Sequence, residues 1–150
     1  MLVHPAEQSF QKGQELLSQG QPKEALAYFS GAVEIEKRIS DEVTQARYLS
    51  YYGLCVSLTG GSRHEALRSC RMAAKLEGFR PEICWNLGRV LLDAGKRREA
   101  YQALHWGLRM EPKHKGIKQE LSRMGVCRQP VLPFLSRVNK LNVFLGRFRT

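Results

Sequence analysis

The chain has 150 residues, of which 43% are hydrophobic, enough for one compact domain or a short repeat array and too much for a disordered chain. No run approaches the ~20 apolar residues that span a bilayer, and the start, MLVHPAEQSFQKG, lacks the basic and apolar regions of a secretory signal, so the setting is read as cytoplasmic. The net charge of +10 is concentrated at one end: residues 1–112 carry fifteen basic and thirteen acidic groups, whereas residues 113–150 carry nine basic groups and only Glu120.

Three stretches line up along the body: GQELLSQGQPKEALAYFSGAV (13–33), GLCVSLTGGSRHEALRSCRMAA (53–74) and GRVLLDAGKRREAYQALHWGL (88–108). Each opens on Gly, runs as an apolar-periodic segment, breaks at a Gly-containing turn and restarts with Glu-Ala. Gly13, Gly53 and Gly88 mark one register; Ala25, Ala66 and Ala100 mark another. The pattern predicts helix–turn–helix units in which a small residue on the first helix admits the second, with the alanine filling the notch. Pro22 and Pro81 suit first helical turns. Ser62-Arg63-His64-Glu65 reads as a capping box, and Gly20, Gly61 and Gly95 are placed in the turns. The longer first interval predicts an extended helix near residues 36–46. No period-2 strand pattern of useful length appears.

Beyond the third unit, HKGIKQELSRMG (114–125) predicts a capping helix with Ile117, Leu121 and Met124 on one face. Pro130 and Pro133 then make QPVLPF extended, and a short helix is expected from Ser136. The tail, 127–150, is expected to dock through Val131, Leu132, Phe134, Leu135, Leu141, Leu145 and Phe148. Three readings stay open for it: packing back on the array or in its groove, which is favoured; docking on a partner protein or an anionic membrane face; and binding nucleic acid, which is disfavoured because no recognised motif or dense basic run accompanies it.

Chemistry is not expected. Cys55, Cys70, Cys84 and Cys127 form no CxxC pair and match no metal spacing, so they read as core thiols in a reducing compartment. His4, His64, His105 and His114 are scattered, and no GxSxG, HExxH, P-loop or dinucleotide fingerprint is present. The expectation is a protein that is not an enzyme and has no cofactor or metal.

The third copy, PEICWNLGRVLLDAGKRREAYQALHWGLRMEP (81–112), resembles the tetratricopeptide repeat family through Asn86-Leu87-Gly88, Leu91, Ala100, Leu104 and Pro112. The first copy matches at Gly13, Leu16, Ala25, Phe29 and Ala32, and the second at Leu49, Gly53, Ala66 and Ala73. The resemblance implies an all-α, right-handed solenoid of three helix–turn–helix units over about 6–38, 46–80 and 81–112, followed by the capping helix. An array of 1–126 and a tail of 127–150 are the expected domains.

The resemblance also implies a concave face, lined by the first helix of each unit, that binds a peptide or helix of another protein. Its expected lining is Phe10, Gln14 and Leu17, then Arg47, Tyr51, Leu54 and Leu58, then Trp85, Arg89 and Leu92. Trp85 reads either as a partner anchor or as packing, between neighbouring helices or against the chain's own tail. Arg47 and Arg89 read either as carboxylate contacts or as partners of Glu7 and Glu82. Some members of the family grip a terminal carboxylate with Lys, Asn and Arg; Phe10 and Tyr51 stand where that subgroup has polar residues, so no such clamp is expected. The function implied is a scaffold or adaptor, with two alternatives: a secretion-type or assembly chaperone, and an anionic-surface binder acting through residues 113–150.

Overall fold

The computed structural model describes residues 4–39 and 45–125. All its regular structure is helical: α1 (Pro5–Ser18), α2 (Pro22–Ile39), α3 (Ala46–Leu58), α4 (Arg63–Glu77), α5 (Pro81–Asp93), α6 (Arg97–Met110) and α7 (Lys115–Arg123). The chain divides into two compact units, Met1–Glu120 and Leu121–Thr150, a division that falls inside α7. Of the second unit only Leu121–Gly125, the end of α7 and its stop, is described. The expected tail and its docking residues Val131, Leu132, Phe134, Leu135, Leu141, Leu145 and Phe148 lie outside the described residues.

In the first unit α1 packs on α2, α3 on α4 and α5 on α6, and each pair packs on the next. Connections of three or four residues make each pair an antiparallel hairpin. The three turns are built alike. Gly20, Gly60 and Gly95 adopt left-handed backbone with φ of +77°, +72° and +75°. The following N–H reaches back across the turn, from Gln21 to Leu16 O (3.0 Å), Gly61 to Val56 O (2.8 Å) and Lys96 to Leu91 O (2.8 Å). These bonds satisfy carbonyls that a helix end otherwise leaves open. The extra residue of the middle turn makes Gly60 the left-handed glycine there, with Gly61 one step on.

The glycine notches are present, but the alanines do not fill them. A Cβ on Gly88 would meet Leu104 Cδ2 at 2.5 Å, and one on Gly13 would meet the Phe29 ring at 2.8 Å. In the middle unit the notch on Gly53 faces Cys70 Sγ and the Ala66 carbonyl. The filling side chain therefore sits four residues after each alanine. Helical side chains lean toward their own N-terminus, so the residue one turn on covers the alanine's position. The alanines, all fully buried, keep the second helix close enough for this to happen.

Pro5, Pro22 and Pro81 open their helices. Ser62 caps α4 by accepting from the Glu65 N–H at 3.3 Å. The reciprocal half of the capping box is replaced, because the Glu65 carboxylate accepts from the Tyr52 hydroxyl at 2.5 Å. The helix α2 is the longest at 18 residues and ends at Ile39; the remainder of the expected extension, 40–44, lies outside the described residues. No described helix is long and apolar enough to cross a membrane.

Candidate functional site

The first helix of each pair contributes to one cleft of about 570 Å³. Gln14, Leu17 and Ser18 line it from α1, Tyr51, Leu54 and Leu58 from α3, and Trp85, Asn86 and Arg89 from α5, with Gly20 and Pro22 at one edge. Seven of the ten residues expected on the inner face therefore converge. The helical spacing brings them together: Leu54 and Leu58 lie four apart, as do Trp85 and Arg89, so each pair shares a helix face.

Phe10, Arg47 and Leu92 do not line this cleft. Phe10 is a core residue, 3% exposed. Its ring packs against Phe29, Tyr48 and Tyr51 at centroid distances of 5.6, 4.9 and 5.2 Å. The second pair supplies two tyrosines that cover it, which a single helical wheel does not reveal. Arg47 is held by internal partners: Nη2 donates to Glu7 Oε2 and Nε to Gln45 Oε1 at 3.0 Å. Its guanidinium also stacks over the Phe10 and Tyr48 rings. The same Glu7 carboxylate accepts from the Tyr48 hydroxyl at 2.8 Å. Burial first, then this bond, pushes Tyr48 up to about 12.

Trp85 has two sides. One packs on α7: a Cβ added at Gly116 would meet the indole at 2.5 Å, and the His114 ring meets it edge-on at 5.2 Å. The other borders the cleft. Its Nε1 is buried and has no hydrogen-bond partner among the described residues. Arg89 lies over the indole at 5.4 Å and reaches Glu120 Oε1 at 4.0 Å. Glu82 instead lies near Arg80, at 3.8 Å.

Asn86 was legible as a repeat signature but not as part of this site. It is 1% exposed and donates to Ser50 Oγ at 3.1 Å, tying α5 to α3 beneath the cleft. Ser18 and Pro22 join because the α1–α2 turn closes one end, a position that inner-face spacing does not report. The floor is aliphatic and aromatic, and Arg89 is the one charged lining group identified. Burial pushes the nearby Cys55 and Cys70 thiols up to about 12, far from the thiolate a nucleophile needs. No group of three or more His, Cys, Asp or Glu able to hold a metal occurs among the described residues.

No family model and no curated protein matches the sequence. Solved structures do match. The first TPR domain of Spaghetti (RPAP3), bound to the HSP90 peptide SRMEEVD, superposes at TM-score 0.65 and 16% identity, over 81% of this chain and 94% of that one. The chain has the tetratricopeptide repeat fold. The second TPR domain of human RPAP3, in complex with the HSP70 peptide SGPTIEEVD, agrees at TM-score 0.62 and 21% identity, over 81% of this chain and 95% of that one. The type III secretion translocator chaperone SycD of Yersinia enterocolitica agrees at 0.60 and 17%, over 83% and 89%. At these identities the likeness is one of fold. In tetratricopeptide repeat terms, the cleft lies on the inner helices of all three repeats.

Proposed function

We propose that this protein is a non-catalytic binding module that holds a peptide or helical segment of another protein in the cleft across α1, α3 and α5. The observation that carries the reading is the cleft itself: three successive inner helices line about 570 Å³ with Leu17, Tyr51, Leu54, Leu58 and Trp85. Such a floor suits an apolar side chain of the partner, with Gln14 and Arg89 at hand for its backbone or a polar neighbour. The fold neighbours, two of them bound to peptides and one a chaperone, are in keeping with it. A grip on an acidic chain terminus is not proposed. Phe10 is buried, Tyr51 presents a ring, and Arg89 already has Glu120 within 4.0 Å. A cytoplasmic setting is part of the proposal, supported by the buried free thiols Cys55, Cys70 and Cys84.

The test is capture of partners from the source organism by the wild-type chain, Trp85→Ala and Leu58→Arg. Leu58 is 44% exposed, so the arginine is tolerated by the fold. Both substitutions are expected to remove the captured protein while Leu58→Arg leaves the melting curve unchanged. Capture that persists through both would overturn the reading. The chaperone alternative predicts a client that co-purifies in fixed stoichiometry and becomes insoluble when the cleft is blocked. The anionic-surface alternative rests on residues 113–150, of which those after 125 lie outside the described residues.

A further inference from the structure

A second surface lies on the opposite helices of the second and third repeats. Arg71 Nη2 meets Glu99 Oε2 at 2.6 Å, and the Trp106 Nε1–H donates to Gly78 O at 3.0 Å. Both pairs are 28 residues apart, so α4 and α6 run side by side and parallel. Along α4, Met72 and Leu76 point to solvent, followed by Phe79, which is 64% exposed; these positions, i, i+4 and i+7, form one stripe. Along α6, Trp106 (47% exposed) and Met110 form another. The Trp106 hydrogen bond at the end of α4 joins the two stripes.

The charge of these two helices is one-sided. The helices α4 and α6 carry seven basic and three acidic residues, whereas α2 carries three of each. All three acids are engaged internally: Glu65 with Tyr52, Glu77 with Arg80, and Glu99 with Arg71 and Lys96. Arg68, Lys75 and Arg109 meet no carboxylate among the described residues. Arg109 lies over the Trp106 ring at 5.3 Å. A depression of about 330 Å³ runs along α4 between Arg68, Arg71, Met72 and Lys75. Large exposed Met, Phe and Trp side chains inside an arginine and lysine rim have the composition of an interface centre.

We infer that this outer face of α4 and α6 docks an acidic amphipathic helix of a second protein, independently of the inner cleft. The charge selects the occupant. Residues 126–150 contain no Asp or Glu, so the chain's own C-terminal residues supply no acidic complement, and neither do those of a second copy. Phosphate alone leaves the five apolar side chains uncovered. The Trp106 indole, hydrogen-bonded to Gly78 and stacked with Arg109, is held as a fixed platform on the helix surface, which suits a structured partner better than insertion into lipid.

The test uses the full chain and a fluorescein-labelled 20-residue probe helix, with Leu and Phe on one face and Glu elsewhere, followed by anisotropy. Saturable binding is expected, weakened at least about tenfold by Trp106→Ala, by Phe79→Ser and by the pair Lys75→Glu/Arg109→Glu. Unlike Trp106→Ala, Phe79→Ser and Lys75→Glu/Arg109→Glu remove neither partner of the Gly78 hydrogen bond, and melting curves confirm that each variant folds. Trp85→Ala is expected to bind the probe as the wild type does. A twin probe with Lys in place of Glu is expected not to bind. The inference is overturned if the twin binds equally well, if the outer-face variants bind as the wild type does, or if phosphatidylglycerol vesicles or a 20-nucleotide RNA bind more tightly with the same sensitivity to these variants. Loss of probe binding in Trp85→Ala alone would move the probe to the cleft, overturning this inference while leaving the inner-cleft reading intact.

Discussion

Phe10 and Trp85 occupy the same place in the repeat, three residues before Gly13 and Gly88, yet they have different fates. Phe10 is sealed by Tyr48 and Tyr51 of the next repeat and by Phe29 of its own. Trp85 is covered on one side by Gly116 of α7 and by His114 just before it, and its other side borders the cleft. The lesson is that repeat register assigns a side chain to a helix face, while the following helix decides how much of that face stays open. The first repeat is followed by two tyrosines on α3; the third is followed by a short helix with a glycine at the contact. Phe10 is therefore wholly a packing residue, whereas one side of Trp85 is left to line the cleft in which the proposed partner would sit.

The sharpest way to break this comparison is to truncate both rings. Phe10→Ala is expected to cost about 3–5 kcal/mol, as deleting a fully packed aromatic does, read as a large drop in the urea midpoint. Trp85→Ala is expected to cost less than Phe10→Ala and to abolish partner capture. If the two variants were equally destabilised, the difference in burial would have no energetic meaning.

Alkaline titration probes the same core as a whole. Burial raises Cys55 and Cys70 from 9.0 to about 12, and burial with a carboxylate acceptor raises Tyr48 and Tyr52 from 10.0 to about 12. Between about pH 9 and 12 the folded chain therefore holds more protons than the unfolded one, and stability falls as pH rises through that window. Urea midpoints at pH 8 and pH 11 should differ accordingly. Replacing Cys55 and Cys70 with Ala should flatten the dependence.

Gly88→Ala sharpens the comparison at the notch. Its Cβ would press on Leu104, at a cost of about 1–3 kcal/mol for overpacking. Leu104→Ala in the same chain should recover part of that loss, giving non-additivity in a double-mutant cycle. The smallest expected effect is Ser62→Ala, which removes the α4 cap and should cost about 1 kcal/mol. It should leave both binding surfaces unchanged.

The helical pairs were legible because they are set by local rules. Proline at first turns, left-handed glycines, and apolar residues three and four apart need only short stretches of chain to act. Leu17, Leu54, Leu58, Trp85 and Arg89 could be placed on the inner face for the same reason. The assignment failed where a neighbour intervened. Phe10 was taken into the core, and Arg89 met Glu120 across 31 positions of chain in place of Glu82, whereas Arg47 does pair with Glu7, one of its two readings, and with Gln45. Asn86 needed Ser50 from another repeat before its role under the cleft was visible.

The order of helices and turns, the glycine notches and the basic C-terminal quarter follow from the sequence alone, because each depends on residue type at short separation. Which ring fills a notch, which carboxylate a guanidinium meets, and where the exposed Trp106 meets the end of α4 were decided by the packing of helices distant in sequence. Burial and ion pairing are properties of that packing, and no periodicity along one helix contains them.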